Sequence, residues 1–162
     1  MSTAPSTAQW IDDYLAGPAL LRTAIAGMTP DQIDAAPIPG KWSTRQVICH
    51  IADFEPVYVD RIKRVIAEHE PLMMSGDPDR FAASLAYAER DLETELQLIE
   101  IVRRHLAGIL RSVPAETFQR VGKHSQDGLL TIETLLKRVT GHIPHHCRTI
   151  SEKRAALGLS PL

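Results

Sequence analysis

Residues 141–150 of the chain, GHIPHHCRTI, hold three of the seven histidines. His142 and His146 are four residues apart, so on an α-helix they lie on one face with Cβ atoms about 5–6 Å apart. Two imidazoles at that spacing can reach one metal ion at the Zn–N distance of about 2.0–2.1 Å. His145 falls to the side of this face, because each helical residue turns by about 100°. The spacing therefore predicts a metal-binding pair that leaves His145 out.

A purely structural role is the alternative, because a helical core tolerates a histidine that is bonded to a backbone carbonyl. Two inward histidines are harder to satisfy in a region with few acceptors. A third ligand is expected from another helix, and His50 in QVICHIADFE is the candidate. Asp53, three residues later, could hold this ligand from behind or take a proton. The alternative for Asp53 is a solvated helix residue.

Arg103 interrupts an apolar stripe between Ile99 and Leu106. An inward guanidinium needs a carboxylate, carbonyls or an anionic ligand. Arg103 is therefore a candidate substrate-binding residue, with a buried ion pair or a snorkelling surface arginine as the alternatives. Three further polar residues either line a mouth near the site or are solvated: Arg120, His124 and Gln126.

Four amphipathic helices must position these side chains. The first is predicted over Thr7–Met28, and the third from about Ala88 to Ser112. The second begins after Ser43, which forms a capping box with Gln46. The fourth begins after Thr131 and carries the histidine pair. Residues 36–42 and 113–128 are predicted loops, and the whole pattern predicts an all-α four-helix bundle in one domain, residues 1–162.

Composition narrows the function classes. The chain has 162 residues, 18 Lys and Arg against 20 Asp and Glu, and a formal net charge of −2. This balance argues against a nucleic-acid partner and against an anionic membrane. No apolar run reaches the roughly 20 residues of a membrane span. Two distant cysteines, Cys49 and Cys147, and a beginning without signal-peptide character predict a cytoplasmic protein with free thiols.

Two blocks of sequence resemble the DinB/YfiT-like family. In GKWSTRQVICHIADFE, a Trp-Ser pair precedes a helix with H-x-x-D and a following Glu. In GLLTIETLLKRVTGHIPHHCRTI, a G-x-x-T helix start leads to H-x-x-H-H. The resemblance implies a DinB-like bundle that binds one divalent metal ion, most often nickel or zinc, through His50, His142 and His146. It also implies a homodimer.

Three imidazoles with open coordination positions are typical of catalytic rather than structural metal sites. Relatives in the resembled family include thiol S-transferases that use bacillithiol, mycothiol or glutathione, a mycothiol-dependent isomerase, and proteins assigned as metal-dependent hydrolases. The first hypothesis is therefore a metal-dependent enzyme that activates a low-molecular-weight thiol for transfer to a small electrophilic substrate. A hydrolase using metal-bound water is the second. A metal-binding or stress-response module without turnover is the third.

Overall fold

The structure is a computed structural model that describes residues 6–160. Its six α-helices are α1 (Thr7–Ile25), α2 (Pro30–Asp34), α3 (Thr44–Ala67), α4 (Pro78–Ser84), α5 (Leu92–Ser112) and α6 (Ile132–Ala156). Three short strands are β1 (Leu72–Met73), β2 (Val121–His124) and β3 (Gly128–Thr131), and a 3₁₀ turn spans Ala115–Gln119. The four long helices α1, α3, α5 and α6 form the predicted four-helix bundle.

The bundle core consists of two apolar clusters, one at each end. One contains the first half of α1 and α6 and the second half of α3 and α5, with Tyr14, Ile62, Leu106 and Leu135 among its members. The other contains the opposite halves, with Leu21, Ile51, Ile99 and Ile143 among its members. Hence α1 and α6 run in one direction, and α3 and α5 run in the other. The neighbours α3 and α6 are antiparallel, which brings the beginning of α3 beside the end of α6.

Local capping fixes where the two histidine-bearing helices begin. The Ser43 hydroxyl accepts from the Gln46 N–H at 3.2 Å, and the Gln46 side chain accepts from the Ser43 N–H at 2.8 Å. This is the predicted capping box, and it satisfies two backbone donors that a helix start leaves free. The Thr131 hydroxyl accepts from the Thr134 N–H at 3.1 Å and caps α6, as predicted.

Two helix ends differ from the prediction. The third long helix begins at Leu92 rather than near Ala88, because the Asp91 carboxylate accepts from the Thr94 N–H at 2.8 Å. The first ends at Ile25 rather than Met28. Gly27, with φ of 72°, then carries the chain into a left-handed conformation that a helix cannot continue.

The predicted loop over residues 113–128 is largely ordered secondary structure. It forms the 3₁₀ turn and a β2–β3 hairpin, whose register pairs Val121 with Thr131 and His124 with Gly128. Strand β1 pairs in parallel with β2, Leu72 opposite Lys123. The strands are two to four residues long, too short for the alternation that identifies a strand in sequence. Helices α2 and α4 are likewise short and were not predicted.

No helix in the described range, residues 6–160, is long and apolar enough to cross a membrane.

Candidate metal centre

Three imidazoles meet between α3 and α6. The His142 Nε2 atom lies 3.0 Å from Nε2 of His50 and 3.1 Å from Nε2 of His146. One ligand atom from each histidine lies within 4.8 Å of the others. Tetrahedral coordination at about 2.0–2.1 Å would place the nitrogens about 3.3–3.4 Å apart. The two distances to His142 are within a few tenths of an ångström of this spacing, and the three nitrogens are close enough together to surround one ion.

All three imidazoles are held neutral. Burial is the main cause, and it lowers the pKa of His50 to about 4, of His142 to about 2 and of His146 to about 3. Mutual repulsion lowers the pKa of His142 and His146 further. Their Nδ1 atoms are buried without a hydrogen-bond partner in residues 6–160. With a proton on each Nδ1, three lone pairs converge at Nε2, and a divalent cation suits such a donor set.

Aromatic rings enclose one side of the centre. The His50 ring lies 5.2 Å from the Trp42 ring and 4.6 Å from the Phe54 ring, measured between centroids. Phe81 from α4 packs at 5.2 Å from Phe54. These rings keep water away from His50, so the approach to the centre must come from elsewhere.

A cavity of about 220 Å³ opens beside His146. Its wall consists of residues from the loop before α3, the first turn of α3, α4 and the second half of α6: Gly40, Lys41, Trp42, Val47, Asp79, His146, Thr149 and Lys153. Gly40 has φ of 73°, and Lys41 N–H donates to Ile38 at 3.1 Å, which gives the turn that places Trp42. Of the three histidines, His146 is the one that lines this opening, so a small molecule can approach the centre from the side of His146.

Two charged residues of this wall, Lys153 and Asp79, were not predicted from the sequence. Lys153 follows His146 by seven residues, two helical turns, so it lies on the same face of α6. That spacing was the signal that could have identified it. Asp79 lies on α4, a helix that was not predicted, and its charge is close enough to raise the pKa of His50 against the larger effect of burial.

The other histidines lie outside the cluster. His145 is exposed, with its ring 5.0 Å from that of His146, so it has the predicted sideways position. His69 and His105 are exposed. His124 differs from the expectation of a solvated or mouth-lining residue, because it is buried at the end of β2. Its Nδ1 accepts from the Asp127 N–H at 3.2 Å and so holds the hairpin turn.

The remaining loop candidates do not line the cavity beside His146. Arg120 donates to the Glu68 carbonyl at 2.7 Å and joins the hairpin to the end of α3. The Gln126 N–H lies 3.4 Å from His124 Nδ1, within the same turn. Both residues stabilise the hairpin.

Asp53 is engaged elsewhere. Its carboxylate accepts from Arg90 at 2.9 Å, and Arg90 also pairs with Glu95. Within residues 6–160 Asp53 forms no hydrogen bond with His50, whose Nδ1 is unbonded. Asp53 acts on His50 through its charge, which raises the pKa that burial lowers.

Arg103 is fully buried between the two apolar clusters, where it joins all four long helices. Its Nε donates to Glu55 of α3 at 2.9 Å, and its guanidinium donates to the carbonyls of Tyr14 at 2.6 Å and Val139 at 3.0 Å. Pro18 has no N–H to bond the Tyr14 carbonyl, so that acceptor is free for Arg103. This is the buried ion-pair alternative, and a substrate would have to displace one of these partners to reach the guanidinium.

Neither cysteine resembles a reactive thiol. Both are unpaired, Cys49 in the core and Cys147 partly buried. Burial raises the pKa of Cys49 to about 11 and also raises that of Cys147. Because the thiolate is the nucleophilic form, both side chains are poor nucleophiles at neutral pH.

Known proteins resemble this chain over nearly its whole length. A protein of Oceanobacillus iheyensis with the provisional name metal-dependent hydrolase OB0782 is 28% identical over 143 residues, 88% of this chain and 83% of its own. Bacillus subtilis YfiT, also provisionally named a metal-dependent hydrolase, is 27% identical over 94% of this chain and 86% of its own.

Solved structures share the fold. The structure of Bacillus subtilis YfiT, described as a probable metal-dependent hydrolase with an unusual four-helix bundle topology, matches with a TM-score of 0.89 and 26% identity. The match covers 99% of this chain and 94% of that one. A mycothiol-dependent maleylpyruvate isomerase matches with a TM-score of 0.72 at 12% identity, over 93% of this chain and 63% of its own, and this likeness concerns the fold alone.

The model of the DinB superfamily matches residues 14–150, a range that includes α3 and the histidine-bearing part of α6. The bundle, the three-histidine cluster and the sequence relatives agree with that match. The chain belongs to the DinB superfamily.

Proposed function

We propose that this chain is a metal-dependent enzyme that activates a low-molecular-weight thiol and joins the thiolate, through its sulfur, to a small electrophile. The observation that carries the proposal is the convergence of three neutral imidazoles, His50, His142 and His146, beside a cavity open to small molecules. Three protein ligands with one side accessible is the arrangement of catalytic rather than structural sites. A divalent ion held by these residues would lower the pKa of a bound thiol or water.

The cavity residues have separate tasks in such a transfer. Trp42 provides an apolar wall that holds the thiol-bearing carbon chain and excludes water. Asp79 offers a carboxylate on the same wall, and it accepts the proton that leaves the thiol sulfur. The sulfur lone pair then forms the S–C bond. The electron pair of the bond that breaks goes to the halide of an alkyl halide, to the oxygen of an epoxide, or to the carbonyl oxygen of an unsaturated carbonyl compound. The chain's own cysteines do not compete, because their thiols stay protonated at neutral pH.

A hydrolase is the second candidate, and the names of the sequence relatives favour it. The same cavity would admit water and an ester or amide, with Asp79 as the proton acceptor. The two functions differ in what disappears from solution, free thiol or the hydrolysable bond.

The test is thiol consumption by the nickel- or zinc-loaded protein. Bacillithiol, mycothiol and glutathione would each be offered with a panel of alkyl halides, epoxides and unsaturated carbonyl compounds. His142→Ala should abolish the reaction because it removes a ligand, and His145→Ala is the matched control that leaves the cluster intact. Hydrolysis of esters or amides without thiol consumption would overturn the proposal in favour of the hydrolase. If the protein shows neither thiol consumption nor hydrolysis, it is a module without turnover.

A further inference from the structure

We infer that Lys153 forms an anion subsite in the cavity beside His146, and that it binds the carboxylate of a small molecule whose other end reaches the three histidines. This inference rests on the proposed function, since it names the chemical class of the molecule that the site would take. Lys153 and His146 belong to the same cavity wall and lie on the same face of α6.

The ammonium group of Lys153 uses little of its hydrogen-bonding capacity. Lys153 is only 3% exposed, yet no carboxylate in residues 6–160 lies within salt-bridge distance of it. Its one hydrogen bond is to the Thr149 carbonyl at 3.3 Å, on its own helix. An ammonium carries three donors, and burying a charge without a counter-charge is unfavourable. Most of its hydrogen-bonding capacity is therefore unused.

Lys153 differs from the other buried cations in its hydrogen-bond partners. Arg103 donates to Glu55 and two backbone carbonyls, and Arg154 donates to the carbonyls of Ala26 and Ser160. Arg61 donates to the Met74 carbonyl. All three guanidinium groups are thus anchored to other parts of the chain. Within residues 6–160 Lys153 has no such anchor, and it is the buried cation in the wall of the cavity beside His146.

The shape and charge of the cavity suit a small anionic molecule. Its volume of about 220 Å³ suits a fragment of a few carbons rather than a large ligand. Trp42 and Val47 give it an apolar wall, and exposed Lys41 adds a second positive charge at the rim. Asp79 is the one carboxylate in the wall, and it is exposed and separate from Lys153. The cavity therefore matches a short apolar chain that ends in a carboxylate.

The position of Lys153 in the last turn of α6 gives a structural alternative, because a cation there is favoured by the helix dipole. A lysine that serves the helix alone would not distinguish between anionic and neutral ligands. Ligand discrimination is therefore the property to measure.

The experiment uses the cobalt(II)-loaded protein and three thiols: 3-mercaptopropionate, 2-mercaptoethanol and cysteamine. The sulfur-to-cobalt absorption band in the near ultraviolet reports thiol binding without any turnover. We expect 3-mercaptopropionate to bind at least about tenfold more tightly than 2-mercaptoethanol, because its carboxylate can accept a charge-assisted hydrogen bond from Lys153. Cysteamine, which is a cation, should bind most weakly. Lys153→Met should lose this preference and keep its affinity for 2-mercaptoethanol.

Controls separate the subsite from the general charge of the protein. Lys63→Met removes an exposed cation outside the cavity wall, on α3, and should keep the full preference. Lys153→Arg should keep part of it. Equal preference in wild type and Lys153→Met would overturn the inference, and so would equal binding of the anionic and neutral thiols to wild type. In the latter case the proposed function stands, because thiols still bind.

If no thiol produces the absorption band, the proposed function is contradicted. A second measurement then tests the subsite alone. Trp42 lies in the cavity wall, and Trp10→Phe leaves it as the single tryptophan. Titration with propionate should change Trp42 fluorescence, whereas propionamide should not. Loss of the propionate response in Lys153→Met, with the circular dichroism spectrum intact, supports the subsite. An unchanged response in that variant contradicts it.

Discussion

His142 is the middle member of the cluster, with a neighbouring imidazole on each side. Its burial has a consequence for acid stability. In the metal-free folded protein the pKa of His142 is about 2. In the unfolded chain the pKa of a histidine is about 6.5. Unfolding therefore takes up a proton at every pH between these values, and stability that is present above pH 6.5 is lost as the pH falls.

We predict that replacing this group reduces the acid sensitivity of the metal-free protein. Between pH 7 and pH 5 one such histidine removes about 2 kcal/mol of unfolding free energy. His142→Leu should therefore lose about that much less over the same interval. Urea denaturation with a chelator present at both pH values measures the difference. Equal losses in wild type and variant would show that His142 is protonated in the folded protein.

Arg103 permits a second prediction at the residue scale. Arg103→Met leaves the Glu55 carboxylate buried without its partner, which costs about 3–5 kcal/mol. The double variant Arg103→Met with Glu55→Leu removes both charges and should be clearly more stable than the single variant. Urea unfolding of both proteins tests this. A double variant that is no more stable than the single one would show that the unpaired Glu55 carboxylate is not the main cause of the lost stability.

At the scale of elements, α1 must approach Arg103 closely. A Cβ atom on Gly17 would lie 2.1 Å from Nη1 and 3.0 Å from Cζ of Arg103. Glycine at this position therefore lets α1 deliver the Tyr14 carbonyl, which Pro18 leaves without a helical donor, to the guanidinium.

We predict that Gly17→Ala destabilises the protein although alanine is the better helix former. The clash should outweigh the gain in helix propensity of about 1 kcal/mol, and overpacking of this kind costs about 1–3 kcal/mol. Gly108→Ala on α5 is the matched control, because its Cβ would meet nothing within 4 Å. Thermal unfolding of the two variants decides the matter. Equal or higher stability of Gly17→Ala would contradict the close approach.

The elements that sequence reasoning predicted are those set by local chemistry. The Ser43 capping box involves four consecutive residues, and the His142–His146 spacing is a property of one helix. The hairpin at Val121–Thr131 was missed because its strands are too short to show an alternating pattern, and its pairing with Leu72–Met73 joins segments about fifty residues apart. The Lys153 cavity was missed for a similar reason. It exists only where the loop before α3, helix α4 and the end of α6 meet.

The site residues show the same division. Placing His50 beside the α6 pair required knowing that α3 and α6 are antiparallel neighbours, and the family resemblance supplied what the residues left open. Arg103 was recognised as out of place, but its partner could not be chosen from sequence, since Glu55 is 48 residues away on another helix. The partner of Asp53, Arg90, lies just before α5 and gave no signal in the sequence.

For the whole molecule, the two apolar clusters supply a core that does not depend on the metal. We therefore predict that chelation leaves most of the far-ultraviolet helical signal in place, unlike in zinc fingers, which unfold without metal. Circular dichroism before and after dialysis against a chelator measures this. Collapse of the helical signal would show that the metal supplies folding energy and that the site is structural.

The homodimer expected from the family resemblance remains a prediction, and light scattering of the same samples tests it.

The central claim is that His50, His142 and His146 hold one metal ion and His145 does not. Metal affinity of single variants, measured by competition with a chelating dye, tests this claim most directly. His142→Ala and His146→Ala should each weaken binding by at least about 100-fold, above the 10–100-fold cost of losing an outer partner of a ligand. His145→Ala should bind like wild type. If His145→Ala loses the metal while His142→Ala keeps it, the assignment of the metal centre is wrong.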